Sequence, residues 1–255
     1  MNLLIPRNPK YGWIPDLPDQ RDFPYTKYAE IIPSLHGYVD LRTNCTPVEN
    51  QGKLGSCTSC ALVGNLEYIK LRSLKKTINF SKLFLYYNER VITHQVKSDS
   101  GASLRDGIKS LRKTGDCLET LWPYILNKFC LKPPPPCYRD ASGYKVTNYY
   151  RLHTIDEMKH TLGSGYPFVF GFAVYESFES AKTRTTGVVS MPMRDERMVG
   201  GHAVCAVGYD DGKKWFIVRN SWGPRWGDRG YFYLPYGYIT RASLASDFWT
   251  IRDME

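Results

Sequence analysis

No stretch of this chain approaches the roughly 18 consecutive apolar residues of a membrane-spanning helix, so a helical membrane span is excluded. Met1 to Ile5, ended by Pro6, is too short for a signal peptide. The expectation for the chain as given is a cytoplasmic protein or one delivered by a signal-independent route. There is no concentrated basic stripe either. The net charge of +9 comes from 34 Lys and Arg against 25 Asp and Glu spread along the chain, with only short clusters such as Lys75-Lys76 and Arg112-Lys113. A solvated surface fits this better than a nucleic-acid face, so neither nucleic acid nor membrane is expected as a partner, and a mild preference for acidic partners stays open. Seven cysteines are far too few for a disulfide scaffold, and their odd number leaves at least one free unless it bridges to another molecule. Cys57-x-x-Cys60 has no second CxxC, and His36, His94, His153, His160 and His202 show no zinc-finger spacing. No metal and no cofactor are expected.

What is present is enough apolar material, 42% of 255 residues, for one large domain or two lobes sharing an interface. The most informative stretch is Gln51 to Cys60, a glycine-punctuated loop running into a helix. From Ala61 to Leu71 apolar residues occupy nearly every side of a 3.6-residue wheel, which predicts a mostly buried helix. With Ser56 as N-cap, Cys57 lies in the first turn, where free N–H groups and the helix dipole favour a thiolate. Two rival readings stand beside a reactive Cys57. Free cysteine is often a small buried core residue, and a CxxC at a helix start also suits a thiol-disulfide oxidoreductase using Cys57 and Cys60.

Residues 1 to 36, rich in proline and aromatics without periodicity, read as an extended arm whose apolar side chains need a surface. Ser81 to Arg90 and Ser103 to Lys113 read as capped helices, and Pro133 to Pro136 as an extended polyproline connection. From Tyr144 the pattern turns to strands: Tyr144 to Leu152, Phe168 to Val174, Ala203 to Tyr209, Trp215 to Arg219 and Tyr231 to Leu234. A capping box at Thr154 to Glu157 opens one intervening helix, with Gly163 as its stop. Helices first and strands second imply an α+β protein with a helical lobe, a β lobe and a ligand cleft between them. Asp210 to Lys213 reads as a hairpin loop, and if Tyr209 faces Lys214 then Ala203 faces Asn220, placing His202 beside an amide at one end of the ladder. One base and one group to orient it are what a cysteine nucleophile requires.

Three blocks, Gln51-Gly52 with Gly55-Ser56-Cys57, Gly201-His202-Ala203 with Val207-Gly208-Tyr209, and Asn220-Ser221-Trp222-Gly223 with Trp226-Gly227 and Gly230-Tyr231, together resemble the papain-like (C1-type) cysteine peptidases. The resemblance covers about residues 39 to 251. It implies an α+β two-lobe papain-like fold, with a helical lobe at about 37–125 and a β lobe of antiparallel strands at about 140–255, following a 1–36 extension. It implies a cysteine endopeptidase of polypeptide substrates, expected as a monomer. Cys57 would be the nucleophile, His202 its imidazolium partner, Asn220 the group fixing the ring, Trp222 its shield, and Gln51 an oxyanion-hole donor with the Cys57 N–H. By a looser analogy Gly101, Ala102, Ser103, Leu104, Gly200 and Gly201 would rim the substrate cleft, with room at the glycines for bulky apolar residues.

Departures from the family pattern are equally informative. A disulfide usual in the family lacks both halves: Leu54 stands at one position and Asp99 or Ser100 at the other. That fits a reducing compartment. Thr58 replaces an aromatic, as in bacterial and archaeal members, and Tyr11-Gly12-Trp13-Ile14-Pro15-Asp16 resembles the short N-terminal extension of bacterial forms. No long inhibitory propeptide of the cathepsin kind is expected within the chain as given, and the arm is a candidate for a short propiece acting as intramolecular inhibitor. A catalytically idle binding protein on the same fold is a further alternative.

Overall fold

The computed structural model describes residues 11–25 and 36–255. The expected arm therefore lies partly outside the described residues, at 1–10 and 26–35. A short strand β1 (Tyr38–Asp40) leads into three helices: α1 (Cys57–Leu74), α2 (Lys82–Ile92) and α3 (Leu104–Lys113). Ser81, Ser103 and Thr154 cap α2, α3 and the later α5 (Ile155–Gly163), their side chains accepting the N–H of Phe84, Asp106 and Glu157. α1 is buried from Cys57 to Ile69, as its all-round apolar wheel requires, and ends at left-handed Lys75. Two expectations change here. Ser56 sits at the N-cap of α1 but its side chain does not cap it. The polyproline run is extended only to Pro134, and Pro135 and Pro136 open α4 (Pro135–Ala141). A fixed φ and a missing N–H cost nothing in a first helical turn.

The second half builds β2 (Val146–Arg151), β3 (Phe168–Tyr175), α6 (Ala181–Thr186), β4 (Met198–Asp210), β5 (Trp215–Arg219), β6 (Tyr231–Pro235), α7 (Tyr236–Ile239) and β7 (Ala245–Met254). Among the described residues these strands form one sheet in the order β2-β7-β3-β4-β5-β6, every pair antiparallel, with β1 on β4. Tyr38–Asp40 thus pairs with β4 at the sheet. β7 was not foreseen, because Asp247, Arg252 and Asp253 break its apolar alternation.

The β4–β5 loop spans residues 211–214, but its register differs from the expected one: Tyr209 faces Phe216, two residues off, and Cys205 faces Arg219, one residue off. An irregularity between Ala206 and Gly208 absorbs the difference. Its effect shows in the packing. Ala203, Cys205 and Val207 face the core under α1, whereas Tyr209 faces the opposite core with Phe168, Phe170 and Phe172. The sheet therefore separates two apolar layers. The cleft lies where α1 meets the start of β4.

Candidate active site

Gln51 is anchored before it can meet any ligand. Its N–H donates to the Ser221 carbonyl (2.8 Å), its Oε1 accepts from the Ser221 hydroxyl (2.5 Å) and its Nε2 donates to the Leu54 carbonyl (2.8 Å). The loop before α1 is thereby tied to the loop after β5. The Ser56 hydroxyl is spent on Tyr124 (2.5 Å), whose own O–H donates to the Gln51 carbonyl (3.0 Å). The Gly55 N–H donates to the Asp99 carboxylate (3.0 and 3.2 Å), which also accepts from Tyr86. All seven cysteines are free thiols, and a hydrogen-bonded carboxylate joins the two places where the resemblance puts a disulfide.

Cys57 opens α1 and His202 lies near the start of β4, and Cys57 packs in one cluster with Ala203, the residue after His202. The Cys57 side chain lies near the backbone of Gly12 and of Ala203. His202 Nε2 donates to Asn220 Oδ1 (2.8 Å), leaving Nδ1 as the nitrogen with no hydrogen-bond partner among the described residues. Trp222 stacks on the imidazole (4.9 Å, 28°) and covers the His202–Asn220 bond. Neither Cys57 nor His202 has exposed surface, and burial dominates their electrostatics: the thiol is pushed up to about 11 and the imidazole down to about 4. The helix-start preference for a thiolate is opposed in this arrangement, because burial disfavours the charged form of each group.

The cause of that burial is the arm. Gly12 to Ile14 runs through the cleft in parallel with Ala102: Ala102 N–H donates to the Gly12 carbonyl (2.8 Å) and Ile14 N–H to the Ala102 carbonyl (2.9 Å). On the other wall Trp13 N–H donates to the Gly201 carbonyl (3.1 Å). A Cβ on Gly12 would lie 1.9 Å from the Gly55 carbonyl oxygen, so only glycine passes the nucleophile's loop this closely. The Trp13 ring lies over Gly171 and Gly201, and Tyr11 lies over Gly200 with its edge towards His202 (6.1 Å) and its O–H on Glu179.

This geometry can be set against known proteins. The model of the papain family of cysteine proteases matches residues 35–250. The chain belongs to this family. It is 41% identical to the uncharacterized peptidase C1-like protein L477 of Acanthamoeba polyphaga mimivirus over 98% of this chain and 88% of that one. Xylellain, a cysteine protease from Xylella fastidiosa, is 42% identical with a TM-score of 0.89, covering 96% of both chains. Against the oryzain gamma chain of rice identity is 29%, and the match spans about half of that protein (52%) and 75% of this one. The papain-like two-lobe fold and membership among cysteine peptidases follow.

The papain-family expectations for the rim divide. Gly101, Ala102, Gly200 and Gly201 all touch the arm, and Trp222 lies against Tyr11. Ser103 is instead occupied in capping α3, and Leu104 is fully buried in the core under α1 with the arm in place, so neither offers a free side chain to the cleft. Cys60 is buried on the core side of α1 and its thiol is pushed well up by desolvation, a poor environment for an attacking or resolving thiol.

Sequence reasoning missed the residues that fasten the arm. Asp22 pairs with Arg105 (2.6 Å) and Arg151 (2.8 Å), and Asp16 accepts from the Arg105 N–H (3.1 Å) and from Trp249 Nε1 (3.0 Å). Asp247 accepts from Trp13 Nε1 (3.2 Å), from Asp16 N–H (2.8 Å) and from Arg151 (2.9 Å). Three carboxylates thus share two guanidinium groups. Burial, then the neighbouring Asp16 charge, pushes Asp247 up to about 6. The acidic residues of the arm were visible in the sequence, but their partners lie on α3, β2 and β7, far along the chain.

Proposed function

We propose that this protein is a cysteine endopeptidase held shut by its own N-terminal arm. The observation that supports the reading is the His202–Asn220 hydrogen bond at the start of β4, facing the Cys57 end of α1, with Gly12 to Ile14 hydrogen-bonded between Ala102 and Gly201. With the arm displaced, water returns to the cleft and the cost of charging the pair falls, so the Cys57 proton passes to His202 Nδ1. The sulfur attacks the scissile carbonyl, and His202 then protonates the leaving amine. Water, deprotonated by His202, cleaves the resulting thioester and regenerates the thiol. Asn220 fixes the ring through Nε2, and Trp222 keeps water from that bond. Gln51 Nε2 and the Cys57 N–H serve the oxyanion, each contributing about 3 kcal/mol in the transition state.

Ala102 and Gly201, which now hold the arm by backbone hydrogen bonds, would hold substrate in the same way. The glycine-floored pocket filled by Trp13 would accept a large side chain. Labelling of Cys57 by an epoxysuccinyl inhibitor in the reduced protein, followed by peptide mass spectrometry, tests the reading. Label on Cys57 that abolishes peptide hydrolysis is expected, and hydrolysis that survives full Cys57 labelling would refute it.

A further inference from the structure

Behind the nucleophile lies a buried carboxyl that the reaction above does not use. Thr58 follows Cys57 in the first turn of α1, and its hydroxyl donates to Glu89 Oε2 (2.8 Å) on α2. Both residues are without exposed surface. Among the described residues Glu89 has no arginine or lysine in salt-bridge contact: the adjacent Arg90 spends its guanidinium on the carbonyls of Tyr86, Val96, Ser98 and Phe129 (2.6–3.2 Å). The other oxygen, Oε1, has no hydrogen-bond partner among the described residues and faces Gly107 of α3, where a Cβ would lie 2.6 Å away. Among the charges bearing on it are Arg90 on its own helix and Asp106 on α3, with the Cys57 thiol on α1. Burial pushes the carboxyl up to about 8, against the lowering effect of the Thr58 hydrogen bond and Arg90.

We propose that Glu89 is a positioning residue for Cys57: it fixes Thr58, the residue that follows Cys57 in the first turn of α1. The inference rests on Cys57 being the reactive thiol. Two consequences separate this from a merely structural role. The neutral carboxyl holds Thr58 without opposing a negative sulfur, because it carries no charge. Once ionised, Glu89 places an uncompensated negative charge behind Cys57, so the thiolate and the carboxylate disfavour each other.

The test compares full-length protein with E89Q and E89L. The rate of Cys57 alkylation by iodoacetamide is followed from pH 6 to 10 by peptide mass spectrometry, and hydrolysis of a small peptide is measured alongside. The arm is the same in all three, so ratios between them isolate Glu89. Both substitutions remove the charge and are expected to lower the midpoint of the alkylation profile by about one pH unit. Only E89Q keeps a partner for Thr58, so E89L should fall roughly ten-fold below E89Q in maximal hydrolysis rate, the loss of one hydrogen bond to a buried group. An E89Q alkylation profile superimposed on that of the native protein would overturn the proposal, as would equal maximal rates for E89Q and E89L. If E89L does not fold, the E89Q profile still decides. If no variant hydrolyses peptide but the alkylation midpoints shift, the link to Cys57 stands, and the peptidase reading falls only if hydrolysis is also absent from a chain carrying Asp22→Ala and Trp13→Ala.

Discussion

Residues 11–14 and residues 16–22 of the arm lie on the same body but are held by different forces. The first segment sits in the cleft through backbone hydrogen bonds to Ala102 and Gly201 and through the rings of Tyr11 and Trp13. The second touches no member of the Cys57, His202 and Asn220 group; it is clamped by Asp16 and Asp22 onto Arg105, Arg151 and Asp247. Blocking and fastening are therefore separate. A cleft-filling segment of four residues has little area with which to offset its ordering entropy, and the charged clamp supplies a second anchorage.

Breaking the clamp should have the largest effect. Asp22→Ala leaves two largely buried arginines sharing fewer carboxylates, a loss of about 3 kcal/mol, which raises the open population roughly 100-fold. Turnover of a small peptide by the full chain measures it. Trp13→Ala removes the ring from its pocket and its hydrogen bond to Asp247 at about 2 kcal/mol, less than a fully buried aromatic because Trp13 is half-buried; the same assay should rise roughly 30-fold.

The clamp should also respond to pH. Asp247 holds its proton more tightly when the arm is seated, so closing takes up a proton. That contribution is fully present below the ordinary carboxylate value of about 4 and is lost as pH rises through about 6. Opening is expected to increase several-fold between pH 5 and 7, read as hydrogen exchange of the Trp13 and Ile14 amides after correction for the base-catalysed chemistry, and Asp247→Asn should abolish the dependence. The smallest effect belongs to Cys60, which touches neither segment: Cys60→Ser should leave peptide turnover within about two-fold, as for a small change away from the site. Insulin-disulfide reduction lost with Cys60 would instead favour the oxidoreductase reading.

The same contrast explains what was legible in the sequence. Local chemistry was readable: Ser81, Ser103 and Thr154 cap where they stand, and the loop before Trp215 falls at 211–214, one residue later than its turn residues suggested. Cys57, His202 and Asn220 were singled out in the sequence because each closes a local pattern. Long-range balance was not readable. The irregularity beside Val207 reverses which residues face which core, the carboxylates of β7 hide a strand, and the segment that runs between Ala102 and Gly201 lies some 45 residues upstream of Cys57. Glu89 was invisible for the same reason, since only the packing of α2 against α1 brings it to Thr58.

The most direct measurement is the rate at which an epoxysuccinyl inhibitor labels Cys57 in reduced full-length protein, compared with the same chain carrying both Asp22→Ala and Trp13→Ala. If the arm blocks the cleft and the clamp fastens it, the native chain labels slowly and the double variant at least 100-fold faster, with all label on Cys57. Equal rates in the two chains, or label on Cys60, would contradict it.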